Sequence, residues 1–216
     1  MRLLDDELGI RCVRCAASGV HLALGQVLRD LAPDLRTVDA CELSARGPVA
    51  NYLRRRARSV ALSEYFEGSA SCTMIDGVRC EDVQRLSYAD AEFDLVTHTE
   101  VMEHVPDDGL AFAELRRILR PGGVMIFTVP LHDRAATLER ARLGNGEIMH
   151  LEAPTYHVDP SRKHAGILAY RDYGRDILAR LLRAGFGEAE VRTPETAIPW
   201  VRARSIVVAR VDKRVQ

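Results

Sequence analysis

Apolar positions along the chain fall into two spacings. Over 20–32, VHLALGQVLRDLA, apolar residues recur at three- and four-residue steps, which predicts an amphipathic helix that Pro33 stops. Shorter unbroken apolar runs predict strands at Thr37–Leu43, Ser59–Ser63, Phe93–Thr97, Val124–Val129, Ala189–Arg192 and Ser205–Val211. Helical spacing returns between them at 48–57, 99–104, 109–119 and 172–184. Strands alternating with helices predict an α/β fold, a doubly wound and mostly parallel sheet covered on both faces. The last two strands are joined through Pro194 and Pro199 without a helix, so the sheet is expected to end in an antiparallel pair.

Composition narrows the class. The 216 residues are 47% hydrophobic and 28% charged, enough for one domain that buries roughly 70% of its unfolded surface. No apolar run reaches the roughly 18 residues of a membrane helix. A formal net charge of −1 offers no cation excess to neutralise phosphates, which argues against nucleic acid as a partner. The opening MRLLDDELGIRC has no signal-peptide core, and five cysteines leave an odd thiol; a reduced, cytoplasmic setting is expected. The basic run Arg54-Arg55-Arg56-Ala57-Arg58 reads as a solvated helix end, where cations favour the macrodipole.

In such sheets ligands bind beyond the carboxyl ends of the strands. The first strand ends at Glu42, before Leu43-Ser44-Ala45-Arg46-Gly47-Pro48 and a helix, and the second ends at Glu64. An acid at Glu64 is placed to accept both hydroxyls of a ribose, as a nucleoside cofactor requires. Asp82 follows the next short segment and could accept from an adenine amino group.

The middle third reads Phe93-Asp94-Leu95-Val96, then EVMEHVPDD over 100–108, then LRRILRPGGVMIFTVP, with RDYGRDILARLLRAGF further on. Together these motifs resemble the class I S-adenosylmethionine-dependent methyltransferases over roughly residues 37–211. The resemblance implies a Rossmann-like methyltransferase fold, with seven strands and an antiparallel last one. It implies a methyltransferase domain over 37–216, preceded by an arm and helix over 1–36 and carrying a lid insertion at 131–170. S-adenosylmethionine would be the cofactor. Glu42 and the Ser44–Gly47 loop would face its methionine part, Glu64 its ribose, and Asp82 with Val83 its adenine, with Thr99 also in contact. The family's first loop carries several glycines, whereas here only Gly47 remains, which alters the methionine end.

Glu100, Glu103 and His104 would share one face of a helix over 99–104, at the rim where the reactive methyl should lie. Two acids and an imidazole suit magnesium, manganese, iron or zinc. The pattern is similar to that of metal-dependent 2′-O-methyltransferases of small RNAs and of ubiquinone-pathway O-methyltransferases. Those relatives imply a further histidine ligand after the Val124–Val129 strand. His132, His150, His157 and His164 are available there, with His157 the first choice. The alternative is a metal-free role, with His104 or His157 as general base.

The expected activity is O-methylation of a small hydroxylated acceptor, with or without a divalent metal. The alternatives are a metal-free N-methyltransferase, or a non-methylating cofactor-binding or regulatory protein, which the glycine-poor loop favours. Cys12-Val13-Arg14-Cys15 has half the spacing of a zinc knuckle, with no second pair following. Helix 20–32 has three places open to it: over the cofactor, on the sheet, or in a homodimer contact.

Overall fold

Eight short segments join edge to edge in one sheet: β1 (Asp39–Glu42), β2 (Ser59–Glu64), β3 (Met74–Ile75), β4 (Val78–Cys80), β5 (Phe93–Thr99), β6 (Leu119–Thr128), β7 (Glu188–Arg192) and β8 (Ile206–Arg210). Their order is β7-β8-β6-β5-β1-β2-β4-β3. The computed structural model describes residues 10–32, 34–157 and 166–213. β4, β2, β1, β5 and β6 run parallel, and β8 lies antiparallel between β6 and β7. The mostly parallel sheet with an antiparallel last strand is thus as expected. The eighth strand is the addition: β3 folds back on β4 through Asp76 and Gly77, both at positive φ (48° and 76°), as a tight two-residue hairpin requires.

Period-two alternation sends neighbouring side chains to opposite faces, and each face is covered by helices. Val124, Ile126 and Val208 pack with Leu24 and Leu28 of α1 (Gly19–Leu31), Leu53 of α2 (Pro48–Arg56) and Val201 of α5 (Pro199–Arg202). Met125, Phe127 and Val207 pack on the other side with Phe112 and Leu115 of α3 (Asp108–Ile118) and Leu181 of α4 (Ile177–Arg183). Of the three places open to the first helix, α1 takes the sheet. Its first turn sits so close to α5 that a Cβ on Gly19 would lie 2.8 Å from the Trp200 carbonyl oxygen. No helix among the described residues is long and apolar enough to cross a membrane.

Three elements differ from expectation. The connection between β7 and β8, expected to hold no helix, carries the four-residue α5, which Pro199 starts. The helix over 99–104 does not form. β5 stays paired with β6 as far as Thr99 opposite Thr128, the Glu100 N–H donates to the Thr128 carbonyl at 3.0 Å, and Glu100 turns the chain at φ +52°. Only Met102–His104 then coil, as one 3-10 turn, because Pro106 holds Val105 extended. The helix predicted over 172–184 is shorter, Ile177–Arg183, since Arg171–Asp172 pairs antiparallel with Leu138–Glu139.

Candidate cofactor and metal site at the carboxyl end of the sheet

The strand order reverses between β1 and β5, and the neighbouring strands β2, β1 and β5 bring Glu64, Glu42 and Thr99 to one end of the sheet. Glu42 is 2% exposed and accepts a hydrogen bond from the Thr97 hydroxyl. Burial pushes its carboxyl up to about 8, with the charge of Glu64 adding and the Thr97 bond opposing. Glu64 Oε1 accepts from the Ala45 N–H at 3.0 Å and the Ser44 hydroxyl at 3.2 Å, so the second acid holds the loop of the first. Within that loop only Gly47 needs a positive φ, 102°, and a side chain there would meet open space. Ser44, Ala45 and Arg46 therefore replace glycines without backbone strain.

β4 pairs with β2 and the Glu81 N–H donates to the Glu64 carbonyl, which sets Asp82 and Val83 beside the same strand end. Asp82 Oδ1 accepts from the Gln84 N–H at 2.9 Å, and Val83 is buried in the core. Thr99 Oγ1 is buried with no hydrogen-bond partner among the described residues, and so is Thr128 Oγ1 opposite it. The residues present thus fit a nucleoside-bearing cofactor: acids at two adjacent strand ends, a tight loop with room at Gly47, and unpaired hydroxyl oxygens on the next strands.

Next to this lie Glu103, His104 and His157, whose ligand atoms are mutually within 4.8 Å. Glu103 is 1% exposed, and neither carboxylate oxygen has a hydrogen-bond partner among the described residues. Its Oε1 lies 3.8 Å from His104 Nε2 and 3.8 Å from His157 Nδ1. The two rings meet edge to face, with centroids 4.9 Å apart. His104 Nδ1 lies 2.9 Å from the Leu168 carbonyl oxygen. An acceptor there requires Nδ1 to carry a proton, so in the neutral ring Nε2 turns a lone pair toward Glu103. A carboxylate and an imidazole lone pair so arranged need a proton or a cation between them. Burial pushes the Glu103 carboxyl well above the usual carboxylate range, and the charge of Glu100 adds to this.

Three of the four residues expected to hold a metal therefore come together, and Glu100 lies outside the group because it sits before the 3-10 turn rather than on a shared helical face. The donor set, one buried carboxylate without a hydrogen bond and two imidazoles, suits a divalent transition ion. His132 and His150 are exposed, and His164 lies outside the described residues. Cys12 and Cys15 are free thiols and join no such group among the described residues. The hairpin turn that holds them is closed by the Ala16 N–H on the Cys12 carbonyl at 2.8 Å.

Sequence reasoning missed Arg171, 3% exposed, whose guanidinium reaches the carbonyls around the 3-10 turn. The available signal was a cation directly after the apolar run Ile167–Tyr170.

The chain matches the model of a methyltransferase domain over residues 24–127. A curated relative, an uncharacterized 37.1 kDa protein in transposon TN4556 of Streptomyces fradiae, is 31% identical over 121 residues. That match takes in 56% of this chain and 32% of the relative, so the chain spans about a third of the relative's length. Among solved structures, an S-adenosylmethionine-dependent methyltransferase from Mesorhizobium loti superposes with a TM-score of 0.57 at 18% identity, over 90% of this chain and 98% of that one. The Burkholderia thailandensis 1,6-didemethyltoxoflavin-N1-methyltransferase, solved with bound 1,6-didemethyltoxoflavin and S-adenosylhomocysteine, gives 0.58 at 19% identity, over 90% of this chain and 79% of that one. At such identities the likeness is one of fold. The methyltransferase-domain match takes in 104 of the 216 residues, through β1, β2, β5 and most of β6, and the solved S-adenosylmethionine-dependent methyltransferases share the chain's fold.

Proposed function

We propose that the protein transfers a methyl group from S-adenosylmethionine to a hydroxyl of a small molecule, beside a divalent cation held by Glu103, His104 and His157. The observation that carries the reading is Glu103: a fully buried carboxylate, without a hydrogen bond from the described residues, faced by two imidazole nitrogens at 3.8 Å. An ion in such a place orients a hydroxyl and lowers its pKa. Methyl transfer is an in-line displacement, so the chain's own task is alignment of acceptor and sulfonium and removal of one proton.

Glu64 would take the ribose hydroxyls, Asp82 and Val83 would flank the adenine, and Thr99 would line the floor. Glu42, Ser44 and Gly47 would meet the methionine part, where the amino group of the cofactor would draw the raised Glu42 carboxyl back to its charged form. The net charge of −1 supports a small acceptor over a nucleic acid, and five free cysteines support a reducing cytoplasm.

The test is a calorimetric titration of manganese or zinc into protein saturated with S-adenosylhomocysteine, repeated on Glu103→Gln. The expected result is about one ion per chain, weakened 10–100-fold or lost in the variant. No binding to the unaltered protein would remove the metal and leave His104 as a general base.

A further inference from the structure

Arg171 is a buried cation with no place in the chemistry above. It stands in the antiparallel pair of Leu138–Glu139 with Arg171–Asp172, directly opposite Glu139. Its Nε donates to Glu139 Oε2 at 3.1 Å. Nη1 donates to the carbonyls of Met102 at 3.1 Å and Val105 at 2.6 Å, and Nη2 to that of Pro106 at 2.7 Å. These carbonyls flank Glu103 and His104 on both sides. The turn itself gives the Met102 carbonyl one long bond, from the Val105 N–H at 3.3 Å, and the Tyr173 hydroxyl lies 3.4 Å from the same oxygen; the carbonyls of Val105 and Pro106 receive no bond from the turn, and a buried carbonyl left unpaired is costly. Arginine alone carries enough donors, in a rigid planar fork, to meet three carbonyls and a carboxylate at once.

The same stretch of chain makes two further bonds to the turn. The Tyr170 N–H donates to the Glu103 carbonyl at 2.7 Å, and the Leu168 carbonyl holds the His104 ring at 2.9 Å. Ile167, one residue earlier, pairs with His157. Residues 167–171 therefore contact the backbone or ring of every member of the Glu103–His104–His157 group. The other acids near Arg171 are engaged elsewhere: Glu139 Oε1 accepts from Arg180 at 2.7 Å, and Asp108 Oδ2 accepts from Arg180 at 2.9 Å and the Tyr173 hydroxyl at 3.0 Å. With those neighbours occupied, the two terminal nitrogens of Arg171 are committed to the carbonyls of the turn.

We propose that Arg171 is the positioning residue of this site, fixing the Met102–Pro106 turn so that His104 presents Nε2, and Glu103 its carboxylate, to a common point. The proposal rests on the functional reading above only for what occupies that point. It acts through Glu103 and His104 and touches neither cofactor nor acceptor.

The test compares Arg171→Gln and Arg171→Lys with the unaltered protein by nitrogen-15 spectra of the histidine rings, with His104 assigned by its loss in His104→Gln. The unaltered protein is expected to show His104 protonated on Nδ1. Arg171→Gln is expected to give a mixture of both tautomers and to weaken manganese or zinc about 10–100-fold, while S-adenosylhomocysteine affinity stays within about twofold. Arg171→Lys keeps the charge without the fork and should fall between them; it carries the test if the glutamine variant fails to fold. A wild-type His104 spectrum in a folded variant, even one with a lowered melting temperature, would reduce Arg171 to a structural residue and overturn the proposal. An Arg171-dependent His104 spectrum in a protein that binds no ion would support the positioning role while sinking the metal reading.

Discussion

His104→Ala is expected to lower methyl transfer to a hydroxylated acceptor by about 10²–10⁴-fold, the usual span for losing a positioned proton-transfer group. The ring is held by the Leu168 carbonyl on one side and faces Glu103 on the other. The loss is expected whether His104 removes the acceptor's proton directly or holds a cation that lowers the hydroxyl's pKa. S-adenosylhomocysteine affinity should change less than about twofold, because the acids proposed to face the cofactor stand on β1 and β2 and are held by Thr97, Ser44 and Ala45. Single-turnover transfer of labelled methyl, with the two affinities measured beside it, checks both halves. An unchanged rate would remove His104 from the reaction.

Acid lability is the second large effect. His98 lies on β5, 0% exposed, its ring stacked on Phe127 at 4.5 Å and both nitrogens without a partner among the described residues. Burial lowers its pKa from 6.5 to about 3, so the folded protein keeps the ring neutral where the unfolded chain protonates it. A lowered folded value means stability that is complete above pH 6.5 and is lost as pH falls toward 3. At about 1.4 kcal/mol per pH unit, His98 alone removes about 3 kcal/mol between pH 7 and pH 4. His21, lowered to about 4 by burial, acts in the same direction. Glu42, raised to about 8, acts in the opposite one: its contribution is full below its unfolded value and fades as pH rises toward 8. The informative quantity is therefore the difference between the protein and His98→Leu. In urea unfolding series at pH 7 and pH 4, the variant should lose about 3 kcal/mol less than the unaltered protein, and equal losses would show that His98 is solvated.

Most of the sheet was legible because its signals are local. Six apolar runs fell within a few residues of six strands, and the Pro194–Pro199 connection announced the antiparallel pair. β3 and β4 gave no apolar run because two residues, Met74 and Ile75, and three, Val78–Cys80, are too short to carry a period. The helix over 99–104 failed for a reason the sequence held, since Pro106 denies Val105 a helical conformation, and the tertiary pairing of Thr99 with Thr128 completed the effect. Of the residues around the candidate site, the strand-end acids could be read because a strand's end fixes where an acid points. His157, the first choice among four histidines, lies within 4.8 Å of the ligand atoms of Glu103 and His104, a closeness that spacing along the chain does not encode. The burial of Glu103 and the reach of Arg171 depend on contacts between residues about 70 apart, which no spacing rule encodes.

The central claim is that S-adenosylmethionine lies across the ends of β1, β2 and β5. Calorimetric titration of S-adenosylhomocysteine into the protein and into Glu64→Ala addresses it most directly. The account predicts one site per chain, weakened about 10–100-fold in the variant by loss of charge-assisted hydrogen bonds to the ribose. No binding to the unaltered protein, or equal binding by Glu64→Ala, would contradict it.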